Sequence, residues 1–212
     1  MARSSTRGPT LSEDEIVKAA LKLIRRKGVA ALTMRDLAEV LGVSPMAAYY
    51  YVDGKDDLIR LVGNHVWGTV KVPPPEAGPW YQRLRDTLIA ERDAIKHYRG
   101  LYEAVLYLDV EQKRKLEDAE FDVLLDAGFP PAVAVPTFRF LMSWVAGYSS
   151  IELGMREPQR RRPPSHWSKA HLLTLDRDQM PEMGADDYFR FGLDTVIAGM
   201  RATVDSGIRD RA

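Results

Sequence analysis

Apolar residues recur at helical spacing along most of the chain. Ile16, Ala19, Ala20, Leu23 and Ile24 fall three and four apart with Lys18, Lys22 and Arg26 between them, so residues 12 to 27 predict an amphipathic helix. Ser12 with Glu15 forms a capping box at its start, Lys22, Arg25, Arg26 and Lys27 suit the negative end of the helix dipole, and Gly28 stops it. Thr33 caps a second, short helix that carries Leu37, Ala38 and Leu41 and ends at Gly42. Ser44 caps a third, with Pro45 in the first turn, running to about Tyr51. A fourth starts near Lys55, with Leu58, Leu61, Val62, His65 and Val66 on one side. Val72-Pro73-Pro74-Pro75 stops it and opens a short linker to Gly78.

Further helices are expected at about 80–97, 100–108, 110–127, 131–154 and 185–205. In the seventh, Leu116, Phe121, Leu124 and Leu125 point inward, and Lys113, Arg114, Lys115, Glu117 and Asp118 outward. The eighth is apolar on two sides, with Phe138, Leu141, Met142, Val145 and Tyr148 on one and Val133, Phe140, Trp144, Gly147 and Ile151 on the other. A helix apolar on two sides must be buried on two sides. The ninth repeats the design, setting Phe189, Leu193, Val196, Ile197 and Met200 beside the small residues Gly192, Thr195 and Gly199. Residues 155–184 hold irregularly spaced prolines and methionines and the run Arg160-Arg161-Arg162, and so read as a long loop with room for a short helix around Ser168 to Leu175. No internal repeat and no strand pattern emerges, and the fold class is all-α.

Composition narrows the picture. The 212 residues are 45% apolar and contain no cysteine, which excludes a disulfide framework, a thiolate zinc site and a cysteine nucleophile, and makes the reducing cytoplasm the natural setting. Net charge is zero, but residues 1 to 55 carry nine Lys/Arg against six Asp/Glu, while the remainder carries 21 against 24. A mildly basic head therefore precedes a mildly acidic body. No uninterrupted run of 18 apolar residues exists, so no membrane partner is expected. Residues 1–11 read as a mobile arm whose Arg3 and Arg7 either enter a minor groove or stay solvated.

Residues 34 to 53 carry the chemistry. Ala38 lies four residues before Gly42, with Leu37, Leu41, Val43, Ala48 and Tyr51 as apolar positions around them. A helix-turn-helix needs this layout: a small residue where two helices approach, a glycine able to take positive φ, and inward apolar residues that fix the crossing. The stretches Ala31-Leu32-Thr33-Met34-Arg35-Asp36-Leu37-Ala38, Leu41-Gly42-Val43-Ser44-Pro45 and Tyr49 to Leu58 resemble the DNA-binding head of the tetracycline-repressor family of bacterial regulators. Phe189-Arg190-Phe191-Gly192-Leu193-Asp194 with Gly199 is similar to the last helix of one branch of that family. Where the family often has a histidine followed by an aromatic, this chain has Tyr51-Val52. The resemblance implies a homodimer whose third helix reads a palindromic double-stranded DNA operator.

The residues support those roles by their own chemistry. Thr33 and Ser44 sit at helix starts, where they serve as caps, phosphate ligands or both. Lys55 suits a backbone phosphate or simple solvation, and Arg35 either a phosphate or an ion pair with Glu39. Pro45, Met46, Ala47, Tyr49 and Tyr50 face outward from the third helix. None is Arg, Asn or Gln, so readout must use tyrosine hydroxyls, thymine methyl contacts and DNA shape. Tyr51 falls at an inward position. The division expected is an arm at 1–11, a DNA-binding domain at 12–54, and a helical ligand-binding and dimerisation domain at 55–212 in which 55–71 is the linking helix.

Within that body Trp67, Trp80, Tyr102 and Leu106, with Phe121, Phe138, Met142 and Tyr148, either line a cavity for an unknown small, mostly apolar or aromatic effector or are plain core. The stripe Phe140, Trp144, Gly147 and Ile151, with Gly192, Thr195 and Gly199, is assigned to a four-helix dimer seam. His65, His97, His166 and His171 lack metal-ligand spacing, and no phosphate-binding glycine loop or nucleophile elbow is present, so neither enzyme nor cofactor is expected. A ligand-responsive DNA-binding regulator, most simply a repressor, is the reading. A helical enzyme or carrier with a relic head, and a constitutive DNA-binding dimer without effector, are its rivals.

Overall fold

The computed structural model describes residues 11–155 and 184–205, without the side chains of residues 150–155 and 205. The arginines of the arm, the Arg160 run, His166, His171, the short helix around Ser168 to Leu175 and the side chain of Ile151 lie outside the described residues. Among the described residues, nine α-helices and a 3-10 turn follow in order: α1 (Glu13–Lys27), α2 (Met34–Leu41), α3 (Pro45–Ala48), α4 (Lys55–Trp67), the 3-10 turn (Pro75–Ala77), α5 (Trp80–Ile95), α6 (Leu101–Val105), α7 (Glu111–Asp126), α8 (Pro131–Met155) and α9 (Ala185–Asp205). Among the described residues there is no strand. The helical periodicity read from the sequence thus placed every described α-helix, and the proline linker adds a 3-10 turn it did not announce.

The chain forms two compact units. The first comprises residues 11–70 with His97–Lys115, the second Lys71–Lys96 with 116–155 and 184–205. The division expected after Gly54 does not coincide with this grouping, because α4 is not an external connector. It buries Leu58, Ile59, Val62, Gly63, Val66 and Trp67, packing on α1 and α6. A Cβ placed on Gly63 would stand 2.9 Å from Val110 Cγ1, and the Asn64 side-chain oxygen accepts the Gln112 N–H at 3.0 Å. The α6 segment and the first turn of α7 are thereby part of the first unit's core.

In the head, α1 opens as predicted. Glu15 Oε2 accepts the Ser12 N–H at 2.8 Å, and Ser12 Oγ accepts the Glu15 N–H at 3.3 Å. Thr33 and Asp36 repeat the reciprocal cap on α2, a second capping box built with aspartate in place of the usual glutamate or glutamine. Lys27, from the last turn of α1, also pairs with Asp36. That ammonium first, then the Thr33 hydroxyl, hold the Asp36 carboxyl down from its ordinary 3.8 to about 2.

The second unit is held by α9, which packs on α5 and α8. Phe189, Leu193, Ile197 and Met200 supply its buried stripe. Trp144 of α8 lies 5.3 Å from Phe189 in a stacked arrangement, and a Cβ on Gly192 would come within 2.5 Å of Trp144 Cζ2. Gly192 is therefore the site where α9 admits the indole of α8.

Asp36 generates a pH prediction. Its folded pKa is depressed, so the stability it contributes is present above the ordinary carboxylate value and is lost as pH falls from about 4 toward about 2. Asp36→Asn should unfold at lower urea than the parent at pH 7, and the difference in midpoint should close over that window. A difference that stays constant to pH 2 excludes the assignment.

Candidate nucleic-acid interface and sensing body

The reading element begins at a turn that only a left-handed residue makes without strain. Gly42 has φ 68° and ψ 28°, its N–H donates to Glu39 O at 3.2 Å, and the Val43 N–H donates to Ala38 O at 3.0 Å. This pair of bonds is a Schellman closure, and it lets Ser44 cap α3 two residues after the glycine. Ser44 Oγ accepts the Ala47 N–H at 3.1 Å. The α-helical part of α3 ends at Ala48, shorter than expected, and turns with N–H groups of Tyr50, Tyr51 and Val52 donating to Ala47 and Ala48 carry the chain onward.

Ala48 and Val52, 1% and 2% exposed, are the inward anchors of this segment. Met46, Tyr49 and Tyr50 point out, with Tyr50 89% exposed, and Pro45 is exposed while Ala47 is partly covered. Tyr51 departs from its expected packing role. It is exposed, and its hydroxyl lies 3.4 Å from the Leu11 N–H, because the turn after Ala48 moves the inward position on to Val52. The outward set Pro45, Met46, Tyr49 and Tyr50 is accordingly presented on one short, anchored element.

The phosphate candidates divide. Arg35 is exposed and makes no ion pair with Glu39 among the described residues, so its guanidinium is available. Lys55 donates to Ala30 O at 3.1 Å, which ties the start of α4 to the loop after α1 while leaving two donors. The Thr33 hydroxyl is engaged with Asp36 as donor and acceptor, so its capping role is filled within the head.

The eight effector candidates fall in both units. In the first, Trp67 and Tyr102 are buried with ring centroids 6.2 Å apart, whereas Leu106 is half exposed. In the second, Phe121 meets Phe138 edge to face at 5.6 Å, and Trp80 meets Phe129 at 5.4 Å. Met142 is partly covered there, and Tyr148 packs on Trp144 and Phe189 while donating its hydroxyl to Ala185 O at 2.6 Å. Plain hydrophobicity missed the charged groups of this unit. Arg92, 2% exposed, donates to Asp186 Oδ1 at 2.7 Å and lies 4.7 Å from the Phe189 ring centroid. Its guanidinium is the main cause of the lowered pKa of Asp186. Arg85 donates to Asp194 Oδ1 at 2.5 Å, seven residues before Arg92 on the same side of α5. Two arginines two turns apart on α5, and two aspartates eight apart on α9, were the signal. Glu120 is likewise buried, at the spacing of Leu116 and Leu124 on α7.

The dimer candidates also divide. Phe140 is 60% exposed, and Thr195, Gly147 and Gly199 are exposed, with open space where a Cβ would stand on either glycine. Trp144 and Gly192 meet each other within the protomer, and both remain partly exposed. Pro136, Thr137 and Phe140 of α8 and Thr195, Val196, Gly199 and Met200 of α9 line an open, mostly apolar cleft of about 550 Å³.

Comparison with known proteins gives two family matches. Residues 16–62 match the family described as bacterial regulatory proteins, tetR family, and residues 72–204 match the tetracyclin repressor-like C-terminal domain. An HTH-type transcriptional regulator of Saccharopolyspora erythraea is 29% identical, over 95% of this chain and 89% of its own. Among solved structures, Streptomyces coelicolor ActR in complex with actinorhodin superposes with a TM-score of 0.73 at 24% identity, covering 92% of this chain and 98% of that one. BioQ, known from Mycobacterium smegmatis, with its double-stranded DNA operator, gives 0.66 at 23% identity, covering 91% and 99%. At these identities the two structures speak for the fold. No helix among the described residues is long and apolar enough to cross a membrane.

The division of the seam residues makes a paired prediction. Gly192→Ala should lower thermal stability, by about 1 to 3 kcal/mol for a methyl forced against the Trp144 ring, without changing the sedimentation coefficient. Phe140→Asp should change sedimentation and leave protomer unfolding nearly unaltered. The reverse pattern, assembly lost in the first variant and kept in the second, would place Gly192 rather than Phe140 at the seam.

Proposed function

Because the chain belongs to the tetracycline-repressor family of bacterial regulatory proteins, which are transcriptional regulators, we propose that it is a homodimeric DNA-binding repressor that a small, mostly apolar or aromatic effector releases from a palindromic operator. The observation that carries the DNA-binding part is the outward face at 45–50. Met46 and Tyr50 are among the most exposed large side chains described, and they sit between the Gly42 turn and the buried anchors Ala48 and Val52. Exposing such groups on a rigid segment is unfavourable unless a partner covers them. A short helix with a capped N-terminus, one free arginine at Arg35 and a lysine at Lys55 fits the edge and backbone of a DNA major groove.

Dimerisation supplies the second recognition element. The exposed Phe140, Gly147, Thr195 and Gly199 surface suits a copy of itself, with small residues where backbones approach and an aromatic to fill the cleft between α8 and α9. Two heads in such a pair would engage half-sites roughly 34 to 36 Å apart. The effector part rests on family membership and on the aromatic side chains of the body. ActR, a structural neighbour, is known in complex with actinorhodin, an instance of a small molecule bound on this fold. An effector releases DNA only by binding the low-affinity arrangement better than the DNA-bound one.

The test uses the full chain and a duplex enriched by it from a random pool. Arg35→Ala should weaken binding to the enriched and to unrelated duplexes alike and reduce the slope of log affinity against log salt by about 0.9, the share of one phosphate. Tyr50→Ala should weaken the enriched duplex by roughly tenfold, about 1.4 kcal/mol, with little change for unrelated DNA. Indistinguishable behaviour of the two variants, or no enrichment of any duplex, contradicts the proposal.

A further inference from the structure

The segment just before α6 grips the C-terminal end of α1. The Arg99 guanidinium donates to Lys27 O at 3.1 Å, one of the last carbonyls of α1, and the Val29 N–H donates back to Arg99 O at 2.9 Å. Helix ends leave such carbonyls without an intrahelical partner, and a cationic donor there is also favoured by the helix dipole. Gly28 makes room for the contact. It has φ 79°, and a Cβ on it would stand 2.9 Å from Arg99 Nε and 3.2 Å from Arg99 O. Next to it, Arg25 donates to the Tyr98 hydroxyl at 3.0 Å with its guanidinium carbon 5.3 Å from the ring centroid.

Lys27 is engaged at both ends. Its carbonyl accepts from Arg99, while its ammonium pairs with Asp36, the residue that caps α2 through Thr33. A continuous path of polar contacts therefore runs from Arg99 through Lys27 and Asp36 to the first turn of α2, which hands the chain to α3 through the Gly42 turn. We propose that Arg99 is a positioning residue for DNA binding: by holding the end of α1 it sets α2, and through α2 the reading element. The proposal rests on the DNA-binding reading above, and its effect on the head can be measured without DNA.

In the free full-length protein, Arg99→Ala should speed hydrogen exchange of the Asp36 and Leu37 amides, which bond to Thr33, by roughly tenfold, with amides of α9 unchanged. Tyr98→Phe, which removes only the hydroxyl that accepts from Arg25, should act in the same direction and more weakly. With a duplex enriched by the parent, Arg99→Ala should lower affinity for an isolated half-site by roughly threefold and for the full site, where each of two heads loses that factor, by roughly tenfold. A contact of purely local structural importance would speed exchange at 28 and 29 alone, or leave half-site and full-site affinity as in the parent, and either result overturns the proposal. If no duplex is enriched while exchange at 36 and 37 responds as stated, the path through Lys27 exists, but Arg99 is not positioning a DNA-reading element. That outcome sinks the DNA-binding reading and the role drawn from it together.

Discussion

A helix of four residues cannot hold its own shape in water, since nucleating one turn costs more order than a single hydrogen bond returns. The head depends on that constraint. The α-helical part of α3 spans only Pro45–Ala48, so everything that makes it a rigid reading element comes from outside it. Ser44 and Pro45 fix its start, Ala48 and Val52 fasten its end into the core, and the left-handed Gly42 sets its direction from α2. Its outward residues can then be large and exposed without being floppy. That arrangement is what a surface needs to meet a groove with little further loss of freedom.

Charge does different work in the two units. In the head, Lys27 and Asp36 join the end of one helix to the start of the next at a partly exposed site, where the attraction is screened and its worth is mainly geometric. In the second unit Arg92 is buried, and a buried cation survives only with partners that offset its lost hydration. Asp186 and the faces of Phe189 and Tyr148 supply them, so the start of α9 is tied to the end of α5.

Local signals made the helices legible. Caps at Ser12, Thr33 and Ser44 and stops at Gly28 and Gly42 depend on neighbours a few residues away, and a sequence displays those neighbours directly. The turn around Gly42 was readable for the same reason. What could not be read was which of two apolar faces meets which partner. Trp144 and Gly192 sit on stripes that look alike in sequence, and only the close approach of α8 and α9 shows that they meet each other. Tyr51 is exposed rather than inward because the α-helical part of α3 ends at Ala48, about one turn earlier than the spacing predicts. Lys113, which the charge pattern of α7 places outward, is largely buried with its ammonium over the Tyr102 ring, a partner eleven residues earlier in the chain that helical periodicity does not display.

The central claim is that the face at 45–50 enters the major groove. The chain contains no cysteine, so a single one introduced by Met46→Cys, at a position 76% exposed, can carry a DNA-cutting reagent without a competing thiol. Asp86→Cys, on an exposed position of α5, serves as the control. On a duplex enriched by the parent protein, cutting from position 46 should fall inside the bound site at two places roughly 34 to 36 Å apart, one for each head of a dimer. Cutting from position 46 that is as weak and scattered as from position 86 would contradict the account.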